Sequence, residues 1–105
     1  MKLAAIDIGS NAIRLLIKRV IIDKKLVNTN KILLLRVPLR LGEDVFKEGR
    51  ILDDKREKLL KVIASFKLLM EVNEVDDYRA CATSAMREAK NGIEVRDYIY
   101  SMSEV

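Results

Sequence analysis

The chain has no histidine and no tryptophan, and only one cysteine, Cys81, and one proline, Pro38, among its 105 residues. A single thiol cannot close an intrachain disulfide, and without imidazole beside it a zinc site is not expected. An unpaired thiol suits a reducing compartment, so a cytoplasmic location is expected. With no histidine to activate it, Cys81 reads as a small core residue rather than a nucleophile. Three tyrosines and two phenylalanines are too few for a stacking array, and no recognition-module motif places them in one, so no nucleic-acid platform is expected. No apolar run reaches the roughly 18 residues a transmembrane helix requires. Asp7 interrupts the first apolar run early, unlike a secretory signal.

What is present is a globular balance: 50% hydrophobic and 34% charged residues, with 20 Lys and Arg against 16 Asp and Glu, a net charge of +4. The length fits one domain at most. The positive excess suits an anionic partner without demanding one, because the basic residues are interleaved with acids.

Residues 3–8 read as a strand buried on both faces, 12–22 as a second β-rich run, and Asp23-Lys24-Lys25 as a polar turn. Residues 26–39 read as a third strand that Pro38 ends or places at an edge. Short connections make these an antiparallel meander. Arg40 to Arg50, with Gly42 and Gly49, reads as a loop. A long helix follows from about Asp53, the expected N-cap, to Glu74. Its stripe of Leu59, Val62, Ile63, Phe66, Leu69 and Met70 is expected to pack on the sheet. Residues 78–83 read as a short buried strand, Ser84 to Ala89 as helical, and Asn91 as the cap of a final helix to about Met102. The order is βββαβα, an α/β fold.

A strand reached through a long helix is expected to lie parallel to its neighbour by a right-handed crossover. If that neighbour is the first strand, Asp7-Ile8-Gly9-Ser10-Asn11 and Thr83-Ser84 share the carboxyl-end rim, where open α/β sheets bind ligands. A buried-type strand has no structural use for Asp7, whereas a hydrated Mg²⁺ does; the bland alternative is a turn-initiating Asp that bonds its own hairpin. The Gly9-Ser10-Asn11 turn offers backbone N–H groups and a hydroxyl to an anion. Gly9 serves either backbone conformation or close approach of a phosphate. Arg14 either reaches a phosphate or faces solvent. Thr83 and Ser84 stand where hydroxyls and helix N–H groups meet, as an anion site or a routine N-cap, and Arg87 one turn later adds positive charge. Arg40 and Glu43 either flank a substrate channel or form a surface ion pair, the blander reading, and Glu88 and Asn91 read as a salt-bridge partner and a cap.

Three segments together resemble the exopolyphosphatase/guanosine pentaphosphate phosphohydrolase family: Ala5-Ile6-Asp7-Ile8-Gly9-Ser10-Asn11, Arg40-Leu41-Gly42-Glu43, and Ala82-Thr83-Ser84-Ala85-Met86-Arg87-Glu88-Ala89-Lys90-Asn91-Gly92. The first is shared with the wider actin/Hsp70/sugar-kinase superfamily; the third is the specific one and disfavours a kinase. The resemblance implies a ribonuclease-H-like, mixed sheet with an antiparallel meander and a parallel fourth strand. It also implies Mg²⁺-assisted removal of a terminal phosphate from polyphosphate or guanosine pentaphosphate. Asp7 would hold the metal. Asp7, Gly9, Ser10 and Asn11 would belong to the first phosphate loop, Arg14 would fall at a phosphate-facing position that is often basic, and Thr83, Ser84 and Arg87 would line the second wall of the cleft.

One departure qualifies the resemblance. The family continues into a strand carrying its presumed catalytic glutamate, a second phosphate loop and a second domain, none of which occurs in residues 1–105. Glu43, Glu88 and Glu104 do not match the catalytic position, so the general base is expected beyond Val105. The chain is expected to be the first part of such a hydrolase, inactive alone; the competing reading is a non-catalytic phosphate-binding or assembly module. An uncovered sheet edge or the long helix is expected to drive self-association, as a homodimer or otherwise.

Overall fold

Runs rich in Ile, Leu and Val build three antiparallel strands at the start of the chain: β1 (Lys2–Ile8), β2 (Ala12–Asp23) and β3 (Leu26–Pro38). The computed structural model describes all residues from Met1 to Val105. Helices α1 (Leu41–Glu48) and α2 (Asp53–Val72) follow, then β4 (Asp77–Ala82), α3 (Ser84–Glu88) and α4 (Gly92–Ser103). The sheet order is β3-β2-β1-β4, with β4 parallel to β1 and the other pairs antiparallel. The expected meander, crossover and first-to-fourth pairing are therefore present, and β3 ends at Pro38.

Lys24 and Lys25 join β2 to β3, both with left-handed backbone at φ 45° and 75°. Two positive φ values match the twist of a two-residue hairpin, although the usual Asn-Gly signal is absent. All residues from 21 to 32 are exposed, so the outer part of this hairpin stands clear of the core.

One face of the sheet is covered. Ala4 and Ile6 of β1 and Ile13, Leu15 and Ile17 of β2 pack with Leu59, Ile63 and Phe66 of α2 and Val95 and Ile99 of α4. The register puts Ile6 opposite Leu15 and Ala4 opposite Ile17, so this face is apolar across the strands. The other face is open: Ala5, Arg14, Leu34, Arg36 and Arg79 are exposed. β1 is thus buried on one face only, contrary to the reading of 3–8, because all the helices that cover the core strands serve a single side. β4 is also a correction. As the sheet's edge strand it keeps only Tyr78 and Ala82 half-buried, and Cys81 is exposed rather than core.

The segment read as a loop contains α1. Leu41 is buried and Val45, one turn on, packs against the core. Glu43 and Asp44 occupy the first turn and Lys47 the last, as the helix dipole favours. Gly49 closes the helix at φ 70° and donates its N–H to Val45 O. In α2 the N-cap is Leu52, not Asp53, and no side chain caps it; the helix ends at Val72, two residues before Glu74. The α2 stripe packs as expected, with Leu59, Ile63, Phe66 and Met70 buried.

At the α2–α4 junction the Tyr98 hydroxyl donates to Glu57 Oε1 at 2.6 Å. That bond holds the Glu57 carboxyl below its usual range and pushes the Tyr98 hydroxyl up. The Arg56 guanidinium lies 4.2 Å from the centroid of the same ring.

Candidate functional site at the carboxyl-end rim

Parallel pairing of β1 and β4 brings their carboxyl ends together, with Ile8 opposite Ala82. Thr83 continues the ladder: its N–H donates to Ile8 O at 3.0 Å and its hydroxyl to the same oxygen at 3.3 Å. Thr83 is the N-cap of α3 by position but makes no side-chain cap bond. One residue later Ser84 Oγ lies 2.9 Å from Ser10 Oγ. Two hydroxyls 74 positions apart in the chain are thereby in contact. A hydroxyl pair uses one proton between its members, so the second proton is free for a ligand.

Gly9 explains itself by packing. Its N–H donates to Ala12 O at 3.0 Å, and a Cβ there would stand 2.9 Å from that oxygen. The turn must be tight for Ser10 and Asn11 to reach the rim. Neither the Ser10 nor the Asn11 N–H makes a hydrogen bond within the chain, which leaves consecutive donors for an anion.

The Arg40–Glu43 segment lies over the same turn. Gly42 N–H donates to Ser10 O and Arg40 N–H to Asn11 O, both at 2.9 Å. A Cβ at residue 42 would sit 3.1 Å from the Ser10 Cβ, so glycine permits this approach. Arg40 holds a left-handed backbone, φ 58°, that costs a non-glycine residue about 1 kcal/mol. Lys55 Nζ fixes it by donating to Leu39 O at 2.8 Å and Arg40 O at 3.0 Å. Buried Asp44 completes this support: Oδ2 accepts the Leu52 N–H at 3.0 Å and Oδ1 lies 3.9 Å from Lys55 Nζ. Arg40 and Glu43 form the exposed ion pair expected of them, at 3.3 Å.

The remaining residues spread around this centre. Asp7 lies on the open sheet face, half-buried, opposite Arg14 and Cys81 in register. Its carboxylate accepts no hydrogen bond and joins no ion pair, so it does not bond its own hairpin. Arg14 is exposed on that face. Arg87 lines a separate groove along β4 with Ala80 and Arg96. No three Asp, Glu, Cys or His side chains gather anywhere in the chain.

Two expectations for the 82–92 segment change. Glu88 enters no ion pair; it lines a cleft of about 500 Å³ that also includes Ser10, Gly42, Phe46, Gly49 and Lys90. Asn91 precedes α4 but its side chain does not cap it. Instead Oδ1 accepts the Ile51 N–H at 2.9 Å and Nδ2 donates to Ile51 O at 2.8 Å. A side chain that reaches another segment's backbone leaves no trace in local sequence, and the same holds for Asp44 and Lys55.

A family model described as the Ppx/GppA phosphatase family matches residues 20–103, a span that begins after the Asp7–Asn11 turn. The fold superposes on the Aquifex aeolicus Ppx/GppA family member with a TM-score of 0.90 at 31% identity, covering 100% of this chain and 33% of that one. The type II variant of the Aquifex aeolicus Ppx/GppA phosphatase gives 0.90 at 32%, covering 100% and 34%. An exopolyphosphatase from Cytophaga hutchinsonii, 22% identical, shares the fold with a TM-score of 0.88 and coverages of 100% and 32%. The chain thus spans about a third of the length of these solved structures. No curated protein matches it. No helix is long and apolar enough to cross a membrane.

Proposed function

Because the chain belongs to the Ppx/GppA phosphatase family, we propose that it forms the phosphate-binding first part of a hydrolase acting on the terminal phosphate of polyphosphate or guanosine pentaphosphate. The observation that carries the reading is the Ser10–Ser84 hydroxyl contact at the joined ends of β1 and β4. The free N–H groups of Ser10 and Asn11 and the spare hydroxyl proton would donate to phosphate oxygens, with Thr83 fixing the ladder behind them. Charge-assisted bonds of this kind are the strong ones, worth about 1.5–3 kcal/mol each. Arg14 and Arg87 would approach a longer phosphate chain from either side. Asp7, with no internal partner, would hold a hydrated Mg²⁺; when bound, that ion supplies positive charge to offset the phosphates.

Hydrolysis additionally needs a carboxylate to activate water. Glu43 is engaged by Arg40, Glu104 pairs with Lys67, and Glu88, though unpaired, does not match the position of the family's presumed catalytic glutamate. We assign the base to the family architecture outside these residues, and expect this chain to bind without turnover. A cytoplasmic setting agrees with its lone, exposed thiol.

Calorimetric titration with inorganic tripolyphosphate tests the site. The double substitution Ser10→Ala with Ser84→Ala is expected to weaken binding roughly tenfold or more, with the far-ultraviolet spectrum unchanged. Unaltered affinity would remove the hydroxyl pair from the site. Phosphate release by the wild-type chain would place the base within it.

The reading extends to assembly. β4 is an open sheet edge beside a groove of about 330 Å³ lined by Ala80, Ala82, Ile99 and Tyr100. A second copy of the chain is the occupant we assign. Sedimentation at rising concentration is expected to show monomer and dimer in equilibrium; a monomer throughout overturns this assignment.

A further inference from the structure

We propose that the β2–β3 hairpin is an arm that docks this protein side-on to an anionic lipid surface. The inference does not depend on the phosphate reading of the rim, because the arm leaves the sheet at its opposite end. Over most of the chain basic and acidic residues interleave, but here they do not. Residues 12–38 carry seven Lys and Arg against one acid, Asp23, while the remaining residues hold 13 Lys and Arg against 15 Asp and Glu. The positive charge of the molecule is thus gathered on one element, and the outer part of that element stands clear of the core.

The register shows how the charges are arranged. Arg14 lies opposite Arg36, and Lys18 opposite Lys31. Like charges directly across a strand pair destabilise a sheet, and none of these four side chains enters an ion pair. Leu15 and Ile17 point into the core, so alternation along β2 puts both cation pairs on the face the helices leave open. Leu16 with Leu34 and Ile22 with Val27 lie on that same face. Leu34, Ile22 and Val27 are 51%, 68% and 60% exposed. The two strands therefore present aliphatic and cationic rows in turn, and the acids of the open face, Asp7 and Asp77, belong to β1 and β4.

Two uncompensated cation pairs call for an anionic partner, and the aliphatic rows narrow its class. A nucleic acid or an inorganic polyanion satisfies the cations but offers nothing to Ile22, Val27 and Leu34. The hairpin also has no aromatic side chain to stack on a base. A second copy of the arm carries the same charge and is repelled. An anionic bilayer supplies both halves: headgroup phosphates for the cations, and the acyl boundary for the aliphatic side chains. Lys24 and Lys25 extend the positive charge to the hairpin turn. The helices, which carry most of the acids, cover the other face of the sheet and are held away from the membrane.

Co-sedimentation of the full chain with vesicles tests the assignment. Vesicles containing phosphatidylglycerol are expected to bind it and pure phosphatidylcholine vesicles to leave it in solution, with binding falling as salt rises. Lys18→Gln with Lys31→Gln should weaken binding roughly tenfold or more. Ile22→Thr with Val27→Thr should also weaken it, while leaving any binding to a DNA duplex or to long-chain polyphosphate unchanged. None of the four residues belongs to the buried core, and unchanged melting curves would verify that the variants fold. Equal binding to both kinds of vesicle, or binding to neither, overturns the proposal. Tighter binding to the duplex or to polyphosphate, insensitive to the Ile22 and Val27 substitutions, assigns the arm to a bare polyanion and overturns it too. Vesicle binding that survives both hairpin variants but is lost in Ser10→Ala with Ser84→Ala would move the lipid phosphates to the rim, leaving the phosphate site standing and the arm without this role.

Discussion

Gly92→Ala is expected to lower the unfolding free energy by about 3 kcal/mol, through overpacking at a contact that cannot relax locally. A Cβ at residue 92 would run into Met86 O and stand 3.1 Å from Met86 C. The opposing atoms are backbone, so no side chain can swing aside. Relief requires α3 to move away from α4, against the bond from Gly92 N–H to Ala89 O at 3.1 Å. For a domain of this size the loss corresponds to a fall in melting temperature of roughly 12–20 °C. Thermal denaturation followed by circular dichroism measures it directly; a shift of only a degree or two would show that the two helices separate without cost. Ser84 is carried on α3, so the same variant should bind tripolyphosphate more weakly even well below its melting point.

The second large effect is expected at Asn91. Ile51 is fully buried, and the Asn91 side chain satisfies both its N–H and its C=O. Asn91→Ala leaves a donor and an acceptor without partners, and each costs about 1–3 kcal/mol when buried. The expected loss is about 3 kcal/mol in chemical denaturation. Asn91→Asp separates the two bonds: it keeps an acceptor for the Ile51 N–H but turns negative charge toward the Ile51 carbonyl. It should therefore recover part of the stability and no more. Full stability in Asn91→Ala would mean that water replaces the amide on both sides.

These two neighbours also show what the sequence discloses. Asn91-Gly92 is legible as a break before a helix, and the break is there. The reasons differ from those that local pattern suggests: Asn91 spans to Ile51, and Gly92 is required by an approaching carbonyl, not by a turn. Strands and the long helix were readable because their signal is periodic burial, which each segment carries in itself. α1 was missed because two glycines in eleven residues resemble a loop, although acidic residues at its start, Lys47 and Gly49 mark a short helix. Burial of β4 was overestimated because small apolar residues look alike at a sheet centre and at its edge. Convergence of Ser10 with Ser84 followed from crossover topology. Support by Lys55 and Asp44 did not, because nothing near either residue points across the chain to its partners.

Ser10 and Ser84 meet across 74 positions of sequence. The sheet neighbour that positions Ser84 is β4, reached only after the whole meander and the long helix. Contacts of such high sequence separation are slow to form, because loop closure must precede them. The rim consequently does not exist in any partly folded state that lacks β4. On the proposed phosphate reading, a phosphate compound bound there would have affinity for the native chain alone and would stabilise it in proportion to the logarithm of its concentration. The first and fourth strands would then be held together by the ligand as well as by their own hydrogen bonds, so that ligand concentration in the cell becomes a determinant of how long the folded protein survives.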